Sequence, residues 1–458
     1  FVNQGVGARM LALKVSPIPF DGEGTAEKPY LLKTKADLVT LSKVTTVKQQ
    51  LFPDTYFKIT NDIDLQKDPE FLGICACIIT GSSDAHVQFA GHIDGDGHTI
   101  HNMVIKNSMT WTTAPTANKM GTPTVGKCIG YKGFIGRMAP SGSVKNLNIA
   151  ADCDLTELWA TSGALVGYNY GTIENCRNYA NVTGYSCWIG GIAGQNQKGA
   201  VIRNCFNAGN ITSGYMNVGG ISGTNYGLIE NCENTGTIEC KVISTFISGS
   251  KVNKLNGVGG ICGGQTGGRV LNCVNSGTTY GYGRVAGISG SLNEAASTSY
   301  DYHNDVINCI NYGTSLSTDK VEVGAIGGQT GTKGVCKDNY YDGQITLHKA
   351  NGNTTLEGTE AVETSVLTSG KALANYSTEL WSFEAGKYPV LKQFADEPSV
   401  KVTRSIIISV PAGHTVADLK QNVALSTDAD CTWSLKDGSV FKINGNTLVA
   451  PASVTALV

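Results

Sequence analysis

The residues best equipped for chemistry are cysteines that recur behind an asparagine: Asn175-Cys176, Asn204-Cys205, Asn231-Cys232, Asn272-Cys273 and Asn308-Cys309. A thiolate is both a nucleophile and a soft metal ligand, so the series raises redox exchange and metal binding as functions. The spacing speaks against both. None of the fourteen cysteines stands in a CxxC pair or a Cys-His cluster, so a zinc site is not expected. A second group, His92, Asp94, Asp96, His98 and His101, carries cation donors, but its Asp-Gly steps read equally as a turn. A third, Asp301, His303 and Asp305, sets alternate residues of a polar insertion where they could converge on a metal ion. Aromatic residues form the fourth. Tyr185, Trp188, Tyr215, Tyr280 and Tyr282 precede a recurring Gly-rich segment, and Tyr168, Tyr170 and Tyr226 follow it. Flat rings beside the amides of Asn169, Gln195, Asn196 and Asn225 would suit a sugar ring, if those corners face solvent.

What positions all of these is a repeat. Between Lys145 and Tyr341 one phrase is written seven times, and from Asn146 the steps to the next copy are 29, 29, 27, 41, 36 and 31 residues. Such a period marks a solenoid. Each copy holds three short β-favouring runs separated by Gly and Asn, so three strands and three corners per rung of a parallel β-helix are expected. Rungs lie about 4.8 Å apart, so equivalent residues form columns. Ile192, Ile221, Ile261, Ile288 and Ile326 are expected to point inward. The pairs Gly190-Gly191, Gly219-Gly220 and Gly259-Gly260 beside them would let the backbone approach the opposite wall. The Asn of each Asn-Cys pair, and Asn178, Asn207, Asn234, Asn275 and Asn311 three residues on, are expected as two amide ladders. Stacked cysteines remain farther apart at Cβ than the roughly 3.8 Å of a relaxed disulfide, so the column reads as buried free thiols.

Composition agrees with a solenoid. Glycine supplies 57 of 458 residues, and charged residues make up 16%, against roughly 25% in ordinary globular domains. A net charge of −2 offers no basic stripe for nucleic acid, and no apolar run reaches the ~18 residues of a membrane span. The start at Phe1 reads as processed or trimmed, so membrane attachment is expected only through an N-terminal anchor lost with an export signal. Residues 1–19 read as a leader and linker. Residues 20–70 read as a helix-and-strand cap, in which Thr34 and Asp37 open a helix with Leu38, Leu41 and Val44 on one face. Residues 71–345 are the β-helix, 346–395 a closing segment, and 396–458 a β-sandwich of short strands, incomplete at its end. A monomer without cofactor is expected.

The entrance Phe20-Asp-Gly-Glu-Gly-Thr-Ala, the strands from Tyr56 to Leu65, the turn from Phe89 to Met103 and the Gly-Gly-Ile-Ala-Gly rungs follow one another in a specific order. In that order they resemble the GLUG-repeat surface proteins of gut Bacteroidetes and related bacteria, over roughly residues 20–345. The resemblance implies a right-handed parallel β-helix, export to the cell surface or outer membrane, and a role as an adhesin. The stretch from Trp381 to Leu391 resembles the segment that closes such repeats, and residues 396–458 resemble a bacterial immunoglobulin-like domain with Trp433 in its core.

The function expected is that of a non-catalytic surface adhesin, binding host or dietary glycan or matrix protein through the solenoid face. Tyr185, Trp188, Tyr215, Tyr226 and Tyr282 are its ligand-binding candidates. Two alternatives stay open. A β-helix polysaccharide lyase or glycosidase would need carboxylates joined by Arg or Lys on one outer face, whereas Glu174, Glu230, Glu233 and Glu239 read as scattered. A rigid spacer, about 43 Å long at the strand spacing, would present the C-terminal module. The insertions at 108–127, 240–257 and 291–305 and the aromatic corners are where function is to be sought.

Overall fold

Each turn of the chain closes through five short strands rather than three. In the turn that begins at Thr172 they are Thr172–Glu174, Arg177–Asn178, Val182–Gly184, Ile189–Gly190 and Ala193–Asn196. Each pairs in parallel with its counterpart one turn later, which generates five walls, called one to five in that order. The chain is therefore a parallel β-helix. The expectation of three strands fails because some corners take only two residues, too few to break the in-out alternation that a strand shows in sequence.

The structure, a computed structural model, describes residues 19–397 with breaks at 48, 77, 80–86, 106–110, 114–121, 124–127, 130, 159–160, 185–187, 215–216, 242–256, 282, 293–303, 318–321, 331–333, 347 and 353–354. Beyond 397 it describes only Val423–Ala424, Lys442–Asn444 and Thr447–Val449, which pair antiparallel. The rest of the expected sandwich, Trp433 included, lies outside the described residues, as do most of the three insertions.

Among the described residues the walls hold ten, ten, six, seven and seven strands. Nine spacings along wall one give about 43 Å. Tyr30–Leu32 and Tyr56–Ile59 are its first two strands, so the N-terminal segment is continuous with the solenoid. Between them the helix Lys35–Thr46 starts at a capping box: Thr34 Oγ1 accepts from the Asp37 amide, and Asp37 Oδ2 accepts from the Thr34 amide at 2.9 Å. Leu38 and Leu41 on its inner face join one continuous core. That core is columnar. Phe57, Ile93, Val144, Ile173, Ile202, Ile229, Val270 and Val306 run down wall one, and Ile192, Ile221, Ile261, Ile288 and Ile326 fill the corner between walls four and five. At the far end Thr359–Val362 adds the last strand to wall two.

The chain then turns back along the outside of wall two. The segment from Leu373 to Glu397 lies as a strap over outward residues of successive rungs, with Trp381–Ser382 paired to Val390–Leu391. Phe206, Val274, Ile310 and Tyr312 of the wall, with Tyr376, Trp381, Leu391 and Phe394 of the strap, form a second buried cluster. Burying that apolar surface is what holds the strap down.

Candidate functional site

The corner after wall one is the Asn-Cys pair. Asn146, Asn175, Asn204, Asn231, Asn272 and Asn308 all take a left-handed backbone with φ between 50° and 55°, which asparagine tolerates better than other side-chain-bearing residues. Their amides link rung to rung in four of the five steps, the later donating to the earlier: Asn175 to Asn146 at 3.2 Å, Asn231 to Asn204 at 3.1 Å, and Asn272 to Asn231 and Asn308 to Asn272 at 3.2 Å. A second ladder, fully buried, runs the other way. Asn178 donates to Asn207, Asn207 to Asn234, Asn234 to Asn275 and Asn275 to Asn311 at 2.7–2.9 Å, and each amide also reaches the carbonyl two residues on.

Asn169, Asn196 and Asn225 form a third ladder with links of 2.9 Å and no exposure, and Gln195 is buried too. A sugar-binding role for these four amides requires corners that face solvent, and these do not. The three asparagines turn inward because the corner there must satisfy backbone groups that water cannot reach: Asn169 and Asn225 accept from the amides of Gly171 and Gly227, while Gln195, in the column of Tyr168, accepts from Gln197.

Cys176, Cys205, Cys232, Cys273 and Cys309 point into the core, free and buried, each donating to the carbonyl two residues earlier at 3.2–3.4 Å. Burial pushes the thiols of Cys176, Cys232, Cys273 and Cys309 well above their ordinary range. Such thiols are small hydrophobes, with neither the thiolate character nor the access that redox chemistry requires.

The histidine and aspartate group does not converge. His92 stacks on Tyr56 and bonds Ser143 Oγ, His98 pairs with Asp62, and His101 pairs with Asp152. Asp94 accepts from Asn146 and lies 3.2 Å from Lys145 Nζ, while Asp96 pairs with Lys58 and opens the turn at Gly97. Asp301 and His303 lie outside the described residues, and Asp305 is paired with Arg269 at 3.1 Å. Among the described residues no group of His, Cys, Asp and Glu could hold a metal ion.

One charged feature escaped the sequence reading. In register along wall one, Lys58, Asp94, Lys145, Glu174, Arg203 and Glu230 alternate in sign from rung to rung. Glu174 is therefore not scattered; it answers Arg203 at 3.0 Å. The varying rung length hides the alignment in sequence. Burial pushes the Asp94 carboxyl up, but hydrogen bonds from Asn146 and the Asp96 amide, with Lys145 beside it, hold it below the usual carboxylate range, and the alternation of sign suits register rather than proton transfer.

Of the aromatic candidates, Tyr185, Tyr215 and Tyr282 lie outside the described residues, while Trp188 and Tyr226 are half-buried on different rungs. Tyr168 and Tyr170 behave differently. With Tyr131 they surround Arg137, whose guanidinium carbon is 5.3 Å from the Tyr168 and Tyr170 ring centres and 5.6 Å from that of Tyr131. Arg137 stands directly below Tyr168 in wall five. It donates to Tyr170 Oη at 3.3 Å and to the Gln88 amide oxygen at 3.0–3.1 Å, while its Nη1 is buried without a partner. The rings are half-buried, and burial pushes the Tyr168 phenol up, so it stays a neutral donor. Tyr131 and Arg137 were missed because their rung precedes the first clear copy of the repeat.

Under the strap, Glu233 occupies the outward column of wall two between Phe206 and Val274. Its Oε2 is buried without a partner, and burial, with Glu397 nearby, pushes its carboxyl up to about 8. Glu397 pairs with Arg177 and accepts from Tyr179 Oη at 2.6 Å.

Compared with known proteins, residues 214–239 match the GLUG motif family. That match covers the turn holding Gly219, Gly220, Asn225, Asn231, Cys232 and Asn234. The chain is 34% identical over 157 residues to a protein of Evansella cellulosilytica provisionally named a Gly-rich membrane protein, covering 34% of this chain and 15% of that one. It is 27% identical over 183 residues to halomucin of Haloquadratum walsbyi, covering 38% of this chain and 2% of that one. The chain thus spans a small part of the length of these curated relatives. A solved protein from Bacteroides ovatus, provisionally assigned as an immunoglobulin A1 protease, aligns with a TM-score of 0.45 and 19% identity over 82% of this chain and 95% of that one. This chain is a parallel β-helix protein that carries the GLUG motif in one of its turns.

Proposed function

We propose that the chain is a non-catalytic surface or secreted β-helix protein, an adhesin that binds glycan or an extracellular protein through the side of its solenoid. The observation that carries this reading is the patch of Tyr131, Tyr168 and Tyr170 over Arg137. Three rings backed by a fixed cation give flat apolar faces with phenol groups at their edges, the combination that sugar rings and protein loops both use. A membrane protein and a halomucin among the relatives support placement outside the cell. Tyr185, Trp188, Tyr215, Tyr226 and Tyr282 are kept as proposed ligand contacts, and of these Trp188 and Tyr226 lie half-buried on later rungs. A glycan array and a mucin pull-down on the whole chain test this: the double variant Tyr168→Ala, Tyr170→Ala should lose about tenfold or more of the signal. Equal signal, or none with the parent chain, would refute the reading.

A spacer role is the second reading, favoured by amide ladders that run the length of the repeat. Removing two whole rungs should leave a spacer functional but shorter.

A further inference from the structure

Where the strap meets the corner after wall one, a cleft of about 340 Å³ opens. Asn146, Asn175 and Asn204 line it from three successive rungs, and Arg177, Gln393 and Phe394 close its other side. The corner ladder makes every step from Asn146 to Asn308 except one. Asn204 does not donate to Asn175, although Asn175 still donates to Asn146 and Asn231 to Asn204. Gln393 Nε2 of the strap instead reaches Asn204 Oδ1 at 3.4 Å and the Asn231 carbonyl at 3.0 Å. The broken step leaves one amide donor, Asn204 Nδ2, and one amide acceptor, Asn175 Oδ1, at the wall of the cleft.

We infer that this cleft binds a single hydroxyl-rich ring, a monosaccharide or the end residue of a glycan, seated between Asn175 and Asn204. A hydroxyl both accepts and donates, so one hydroxyl can complete the broken step. An ionised carboxylate only accepts, and an ammonium only donates. Arg177 is already paired with Glu397, so the cleft carries no uncompensated charge to recruit an ion. Phe394, buried in the strap cluster with its ring 5.7 Å from the Arg177 guanidinium carbon, gives the cleft only an apolar edge. The volume lies at the small end of ligand sites, which run from roughly 300 to 1,000 Å³. Nothing here depends on the tyrosine patch.

The test uses the whole chain and saturation-transfer NMR with N-acetylglucosamine, methyl galactoside, methyl mannoside, glucuronate and inorganic phosphate, each at about 10 mM. At least one neutral sugar should bind, and Asn204→Ala and Gln393→Ala should each weaken it roughly tenfold, with Tyr168→Ala, Tyr170→Ala leaving it unchanged. Chitotriose against N-acetylglucosamine separates a chain end from a free ring. Because Asn204→Ala also removes a ladder link, crystals of the parent chain soaked in the bound sugar provide a second measurement, with a sugar hydroxyl expected between Asn175 Oδ1 and Asn204 Nδ2. The inference is overturned if no neutral sugar binds, if phosphate or glucuronate binds better, if the tyrosine variant abolishes binding, or if the soaked cleft holds only water.

Discussion

Gly220 and Asn234 meet across the interior so closely that a Cβ on the glycine would lie 2.4 Å from Asn234 Cγ and 2.2 Å from the Gly260 carbonyl oxygen. Gly191 and Asn207, Gly260 and Asn275, and Gly287 and Asn311 repeat the contact. The Gly-Gly and Asn-Cys-x-Asn halves of the repeat are therefore one packing device: the buried amide ladder fits only where the opposite strand has no side chain. Gly220→Ala should cost about 3 kcal/mol in urea unfolding, since backbone and ladder must both move. Gly199→Ala meets no atom within 4 Å but has φ +84°, and should cost only about 1 kcal/mol. Equal losses would show that steric contact with the ladder is not the cause.

Position along the ladder should matter as well. Asn207→Leu strands a donor on Asn178 and an acceptor on Asn234, both buried, so a loss of about 3 kcal/mol is expected. Asn308 ends the corner ladder, and its Oδ1 has no partner. Asn308→Gly keeps the left-handed corner and should cost no more than about 1 kcal/mol. Comparing denaturant midpoints at equal m-values checks both.

The solenoid was legible in sequence because a stack repeats its inward residues in chain order, so Ile192, Ile221 and Ile261 announce a column directly. Two things were not. Asn169, Asn196 and Asn225 look like solvent corners, since sequence does not say toward which side a short corner turns its amide. The outward column Arg177, Phe206, Glu233, Val274, Ile310 has no visible pattern, because its environment is set by the strap, almost two hundred residues from Phe206 in sequence. The tyrosine and arginine cluster and the amide cleft both join residues from different rungs or from the strap, and pairing across unequal insertions requires the register itself.

The thiol column predicts a labelling pattern. Burial pushes Cys240, Cys262 and Cys336 up to about 12, yet only Cys336 of these is partly exposed. Iodoacetamide at pH 8 should modify Cys336 slowly and leave Cys176, Cys205, Cys232, Cys273 and Cys309 untouched until denaturant is added, as read by peptide mass spectrometry. Rapid native labelling of Cys232 would contradict the buried column.

Docking of the strap should depend on pH through Glu233. Its carboxyl titrates near 8 when covered and near its ordinary 4.5 when the strap is released, so the docked state binds the extra proton. Docking is then strongest below about pH 4.5 and weakens as pH rises toward 8, by at most about 1.4 kcal/mol per pH unit. Hydrogen exchange of peptides from Leu373 to Glu397, corrected for intrinsic rates, should accelerate across that window. Glu233→Gln should flatten the response; a slope unchanged in that variant would assign it to Glu397 or another group.

The opposite senses of the two long asparagine ladders have an electrical consequence. Amides donating toward later rungs from Asn178 to Asn311 and toward earlier rungs from Asn308 to Asn146 set two rows of dipoles antiparallel along the axis. In an α-helix every peptide dipole adds, so the ends carry partial charge that must be capped. Here the two long ladders oppose each other and only the short third ladder, from Asn169 to Asn225, is left without a counterpart, so the stack can grow by a turn while adding little axial field from its amides.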